Sequence, residues 1–283
     1  ICQLPNIEHT EQSFPVLFLY RKELPDSGGA GQYRGGLSAE SCFIPHNTDV
    51  ITQDTLSSGN ATPTSSGMMG GYPSTTNAYT FIRNSDIFEN IEASTMPDDT
   101  SQVSGDPVTL QLREENFQQN ASDVYAVRWT GGGGFGDPMD RLPADIEQDL
   151  EDYSITPESA LNTFGAVLSG EVTVDIEATA KLRAGIRSER VRNSDTKSEN
   201  RNGTVVFEAG SCLNAMSDER GEYWSCAKCS TDLGPVTGNY KDACIRENHP
   251  VSASNPLIGA PERFIDDDVS FRQFFCPGCG SLI

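Results

Sequence analysis

Two C-x-x-C pairs, Cys226/Cys229 and Cys276/Cys279, lie with 46 residues between Cys229 and Cys276. Four thiolates in this pattern close around one tetrahedral metal ion more readily than they form two strained bridges between near neighbours. The chain must therefore return on itself after residues 230 to 268, a long polar excursion, through the apolar run "DVSFRQFF". The first turn is "SCAKCS". In the second, "FFCPGCGSL", Pro277 and Gly278 permit the reversal and Gly280 lets the chain leave it. The interval exceeds that of common zinc ribbons, so Cys244 or His249 stays open as a replacement for one member. Zinc is expected in a structural site, because four thiolates leave no open position for water or substrate. Iron held by the same ligands is the alternative.

A metal-binding set of this kind fits a reducing compartment, and Cys2, Cys42 and Cys212, which lack such company, read as small apolar residues. A cytoplasmic location is the expectation. No apolar run approaches the ~20 residues of a membrane span, and "ICQ" begins no charged-then-apolar leader. With 41 acidic against 20 basic residues the net charge is −21. Phosphate contacts need clustered Lys and Arg, so a nucleic-acid groove is not expected.

Upstream of the cysteines the pattern is β-rich. Short β-branched or aromatic runs at 15–24, 38–45, 78–84, 107–112 and 123–129 are separated by Gly, Pro, Asn and Ser clusters. Helices come late. One starts at Pro143. A second has Thr156 as N-cap, Pro157 in the first turn and Gly165 as stop, and a third spans "DIEATAKLRAGIRSERVR", with Ala178, Leu182 and Ile186 on one face and a basic C-terminal end. The polar stretch 193–203 reads as a linker. These signals predict an α+β, β-rich chain with a domain over 1–195 and a four-cysteine metal-binding domain over 196–283. Strands are expected at "GTVVFEAG", "EYWSCAKC" and the final cysteine segment.

The glycine runs do not read as a nucleotide site. "LPDSGGAGQYRGGLS" lacks the clean strand-then-helix context and the acidic residue after the helix that a dinucleotide fold requires, and no G-K-[ST] occurs. "WTGGGGFGDPMD" reads first as a place where backbones cross closely. Only His9, His46 and His249 are available for nucleophilic catalysis.

In order, "DSGGAGQYRGGLS", "SGMMGGYPSTTN", "WTGGGGFGDPMDR" and "VDIEATAKLRAGIR" resemble the C-terminal half of hydantoinase B family proteins. "FIDDDVSFRQFFCPGCGSLI" is similar to the zinc-binding small subunit of acetone carboxylases. Together the two resemble the β-subunit family of acetophenone carboxylases, which are biotin-independent, ATP-dependent ketone carboxylases. That resemblance implies a hydantoinase-B-like region followed by a zinc-ribbon-like domain. It also implies a subunit that helps wall a shared cavity where an aromatic ketone and bicarbonate, each activated by ATP, are joined. ATP and Mg2+ would sit on hydantoinase-A-like partners, and a further polypeptide would supply the hydantoinase B N-terminal half with its metal ligands. Arg34, Gly132, Gly133 and Asp137 are the residues it offers for substrate contact. A cyclic amidase of the hydantoinase or oxoprolinase type, or a purely structural assembly subunit, is the other reading.

Overall fold

A computed structural model describes residues 5–196 and 199–283. Cys2 and the middle of the expected linker lie outside the described residues.

The first helix, α1 (Ile7–Ser13), leads into a sheet whose strands carry large side chains on both faces. Its members are β1 (Val16–Glu23), β2 (Ala39–Pro45), β4 (Ala78–Arg83), β5 (Asp106–Val108) and β7 (Val124–Arg128). They pair antiparallel throughout in the order β1-β2-β7-β4-β5. Strand alternation sends Cys42, Ile44, Ile82, Val124 and Ala126 to one face, where Ile87 of α2 (Ile87–Glu92) covers them. It sends Phe43, Tyr79, Phe81 and Tyr125 to the other. That second face is roofed by a ribbon of β3 (Val50–Leu56) and β6 (Arg113–Asn120), whose Phe117 ring lies 5.5 Å from Phe81. The sequence reading missed this ribbon, because "REENFQQN" looks like a polar loop. Phe117 turns inward, and Gln119, fully buried, donates to the carbonyls of Phe43 and Asp123 at 3.2 and 2.7 Å.

The glycine runs form the middle of this region. Segments 28–36, 67–72 and 131–136 cross bonded backbone to backbone, the second through a turn at Met69 and Gly70. Gly29 N donates to Gly132 O (2.8 Å), Tyr72 N to Ala30 O (2.7 Å) and Gly134 N to Tyr72 O (2.9 Å). The backbones are so close that a Cβ on Gly35 would stand 1.9 Å from the Gly132 oxygen, and one on Gly133 would stand 2.1 Å from the Ser66 oxygen. The expectation of a close crossing holds, and neither position takes a positive φ.

Three helices cap one end. α3 (Pro143–Glu151), α4 (Pro157–Asn162) and α5 (Ile176–Arg192) follow the start and stop signals: Thr156 accepts from Ser159 N and Asp175 from Ala178 N, and Gly165 ends the second with φ +59°. Ile146, Leu150, Ala160 and Phe164 pack beneath them against Ala30. α5 departs from the expected apolar stripe. Ala178, Leu182 and Ile186 are only half-buried, and the turn-to-turn row that reaches inward is Thr179, Arg183, Arg187 and Arg190.

The remaining residues build a sheet in the order β11-β10-β9-β8, from β8 (Thr204–Glu208), β9 (Leu213–Asp218), β10 (Gly221–Cys226) and β11 (Asp232–Pro235). A ribbon of β12 (Ile245–Pro250) and β13 (Ser270–Phe275) completes them. The excursion before β13 is no free loop. Residues 254–264 run back along the first region as a strap, with Asn255 donating to Asp26 O (2.8 Å) and Arg128 donating to Leu257 O (2.7 Å). Among the described residues no helix is long and apolar enough to cross a membrane.

The crossing makes a paired prediction. Gly35→Ala should cost about 3 kcal/mol or more, because backbone rather than a flexible side chain must move. Gly36→Ala, with open space at its Cβ, should stay within about 0.5 kcal/mol of the parent. Denaturant midpoints of both variants check this, and equal midpoints would contradict it.

Candidate metal centre and its docking face

Each cysteine pair sits in a tight backbone turn, and the two turns are near copies. Ser230 N donates to Cys226 O (2.9 Å) and Cys226 N to Thr231 O (3.0 Å). In the second turn, Gly280 N donates to Cys276 O and Cys276 N to Ser281 O, both at 2.8 Å. The residue after each pair takes a left-handed backbone, Ser230 at φ +61° and Gly280 at φ +72°. At Gly280 there is a second demand, since a Cβ would stand 2.3 Å from the Arg187 oxygen.

The turns bring the four sulfurs within 4.8 Å of one another. Cys226 and Cys279 are 3.8 Å apart and Cys229 and Cys276 3.5 Å. A tetrahedron with metal–sulfur bonds of about 2.3 Å has edges of about 3.8 Å, so the set fits a zinc-sized ion. Polar groups also approach the sulfurs: Gly278 N–H donates to Cys276 Sγ (3.4 Å), and the Thr231 hydroxyl, which donates to Asn200 Oδ1 (3.2 Å), lies 3.1 Å from Cys229 Sγ. Hydrogen bonds from the neighbouring thiols, Cys226 first, hold the Cys229 pKa down to about 6. Burial does the opposite to Cys42 and Cys244, whose thiols are pushed up to about 12.

Neither alternative ligand joins the cluster. Cys244 is buried with its thiol toward Tyr240 O (3.4 Å), and His249 lies on β12 beside Glu247 (3.2 Å). Cys42 is buried in the core of the first region, and Cys212, buried in the apolar cluster around the four cysteines, is not one of the ligand set and turns its thiol to Met69 O (3.8 Å). The four sulfurs offer no protein-free coordination position, so the arrangement can hold a metal and organise chain but presents no open site for a reacting group.

What the centre organises is a polar latch. Asp137, 2% exposed, accepts from Met139 N (2.9 Å), from Leu282 N (3.1 Å) beyond the second turn, and from Arg187 of α5 (3.0 Å). Arg187 also reaches Asp140 (2.8 Å). Lys228, between the first two cysteines, pairs with Asp140 and approaches Asp137 at 4.0 Å. Arg190 donates to Gly280 O (3.1 Å), and its guanidinium lies 4.2 Å from the Phe275 ring centre. Sequence reasoning could not find this latch, because its longest link joins positions 145 residues apart.

The residues expected to touch substrate lie in this framework. Arg34 is held by Asp149 (3.1 and 3.2 Å) and donates to Gly35 O (2.8 Å). Gly132 and Gly133 are within the backbone crossing, and the Asp137 carboxylate is taken up in the latch.

Residues 2–138 match the hydantoinase B/oxoprolinase family, and residues 202–283 match the acetone carboxylase gamma subunit family. Over 190 residues the chain is 27% identical to the acetophenone carboxylase delta subunit of Aromatoleum aromaticum, covering 64% of this chain and 28% of that protein. Over 215 residues it is 30% identical to the acetone carboxylase alpha subunit of Xanthobacter autotrophicus, covering 69% and 27%. The solved nucleotide-free structure of acetone carboxylase superposes with a TM-score of 0.55 at 27% identity over 68% of this chain and 27% of that one. The strand-rich α+β architecture agrees with it. The chain spans little more than a quarter of the length of these relatives.

The purified protein should carry one equivalent of metal. Cys276→Ser should release it, while Cys244→Ser and His249→Ala should retain it, as read by elemental analysis; retention after loss of both Cys276 and Cys279 would place the ligands elsewhere. Asp137→Ala takes one carboxylate from a half-buried guanidinium and leaves two buried N–H groups, those of Met139 and Leu282, without an acceptor, and should cost about 3 kcal/mol. Limited proteolysis should then cut between residues 196 and 283 before it cuts the first region.

Proposed function

We propose that this chain is part of an ATP-dependent, biotin-independent carboxylase complex in which a ketone and bicarbonate are joined. In it, the metal centre is structural zinc. One observation carries the reading: similarity to an acetone carboxylase alpha subunit and to the gamma subunit family meet in one polypeptide, and the latch packs the two parts as neighbours. An aromatic ketone of the acetophenone type is the substrate we favour, supported by the similarity to an acetophenone carboxylase subunit. The match there is to a delta subunit, so the assignment to a β-type subunit is our own.

Within such a complex these residues act by position. Four thiolates close the metal shell, Gly132 and Gly133 have no side chains to offer, and Arg34 is held by Asp149. Any part that Arg34, Gly132, Gly133 and Asp137 take in substrate binding would pass through the loops they fix. ATP, Mg2+ and the catalytic metal are assigned to hydantoinase-A-like and hydantoinase-B-like parts outside these 283 residues, whichever polypeptide carries them, in a cytoplasmic assembly. Edge strand β8 leaves Val205, Val206 and Phe207 about half exposed, which supports a partner surface there.

The purified complex, given ATP, labelled bicarbonate and a ketone panel, should retain label in a β-keto acid, with aromatic ketones preferred. ATP-dependent opening of hydantoins or oxoproline without label uptake would move the assignment to a cyclic amidase, the activity class named in the family matched by residues 2–138.

A further inference from the structure

The four sulfurs are not equally sheltered. Cys226 and Cys276 are buried, while Cys229 and Cys279, the second member of each pair, are partly exposed. Each outer sulfur has a buried one of the other turn beside it, Cys279 with Cys226 at 3.8 Å and Cys229 with Cys276 at 3.5 Å. Closing either couple to the length of a disulfide, about 2.05 Å, asks for a movement of roughly 1.5–1.8 Å.

The two outer sulfurs have different surroundings. Cys229 has the Thr231 hydroxyl against it at 3.1 Å. Cys279 borders an open groove of about 810 Å³, lined from α5 by Arg183, Ala184, Arg187, Ser188 and Arg192, and among the described residues no acidic side chain lines it. Ala184 and Ser188 are short and exposed, so the groove stays accessible. A thiolate that solutes can reach, set beside guanidiniums, is the one an oxidant meets first.

The same turn carries the latch. Gly280, next to Cys279, gives its carbonyl to Arg190 (3.1 Å), and Leu282 donates to Asp137 (3.1 Å). Lys228, next to Cys229, pairs with Asp140 and donates to Ser281 Oγ (3.2 Å). Bonds of this length pass out of hydrogen-bond range when the turn shifts by about 0.5 Å, less than disulfide closure demands.

We propose that the cysteine cluster is a redox switch entered at Cys279, in which a hydroperoxide links Cys279 to Cys226, the metal is lost and the second turn releases Asp137 and Arg190. The Cys279 thiolate attacks one peroxide oxygen, the O–O bond breaks, and the departing alkoxide or hydroxide takes up a proton, which leaves a sulfenic acid on Cys279. The Cys226 thiolate then attacks that sulfur and the sulfenic oxygen leaves as water, taking a second proton. Two thiolates, one hydroperoxide and two protons thus give a disulfide, one alcohol (water, for hydrogen peroxide) and one water. Two remaining thiolates do not close a tetrahedral shell. The inference rests on that shell holding a metal and not on the carboxylase reading.

Hydrogen peroxide added to the full protein tests it, with metal release to a chromogenic chelator, disulfide mapping by mass spectrometry and limited proteolysis followed together. One equivalent of metal should appear with a Cys226–Cys279 disulfide, cleavage between residues 196 and 283 should quicken, and dithiothreitol with added zinc should restore the starting pattern. Cys279→Ser cannot serve alone, since it removes a ligand. Ala184→Trp fills the groove from an exposed position, so it should keep its metal and lose it to peroxide about threefold or more slowly. The proposal is overturned if the first disulfide joins another pair, if metal leaves with no change in cleavage, or if Ala184→Trp responds at the parent's rate. Absence of metal before treatment would overturn the metal reading alone, because the disulfide and the cleavage are read without it.

Discussion

The structure depends on a distance that only glycine permits. Three segments, far apart in sequence, approach until a carbonyl oxygen of one stands where a Cβ of the next would be. Beyond Ala30 and Tyr72, which join the neighbouring cores, the glycines themselves bury no side chains, so the crossing is held by backbone hydrogen bonds and by the packing at its borders. Those borders are the sheet that holds Phe81 and Tyr125 on one side and the helix cap that holds Phe164 and Ile146 on the other. The crossing therefore acts as a rigid joint between two cores. Its backbone polar groups satisfy one another and need no side chains.

Onto that joint the metal-binding tail is fixed by charge as well as by the packing of Tyr72 and Met69 against its apolar clusters. Asp137 leaves the glycine segment and is buried, so its ionised carboxylate is tolerable only with strong donors around it. Arg187 and two backbone amides supply them. One of those amides belongs to Leu282, which the second cysteine turn places. Closing the metal shell thus positions a donor for a carboxylate in the other region. A bond of this kind fixes one docking geometry because it fails quickly with displacement, whereas apolar contact tolerates sliding. The same logic explains α5, whose inward arginines end on carbonyls and carboxylates at fixed points along the seam.

What could be read from the sequence was whatever is local. The cysteine turns, the N-caps at Thr156 and Asp175, the stop at Gly165 and the strands around Tyr79, Tyr125 and Phe43 announce themselves within a few residues. The glycine runs announced close approach without saying to what. Three things were hidden. β6 has the alternation of a strand, but its buried position 119 is glutamine, whose burial is offset by carbonyl partners found only in the fold. α5 reads as amphipathic through Ala178, Leu182 and Ile186, while the inward contacts are made by arginines, which a hydrophobic pattern counts as surface. The strap reads as a polar excursion because its contacts, Asn255 with Asp26 and Leu257 with Arg128, are single hydrogen bonds across 229 and 129 residues.

These placements bear on what the net charge means. The basic side chains are few, and many are committed inside the molecule: Arg34 to Asp149, Arg141 to Asp149, Arg183 to the Phe164 carbonyl, Arg187 to Asp137, and Arg201 to Asp218 and Asp232. Their acidic partners are withdrawn with them, so solvent still faces a protein with the acidity of the sum of charges. A polyanion therefore meets a strongly acidic protein whose arginines are largely engaged, which argues against nucleic acid as the composition does.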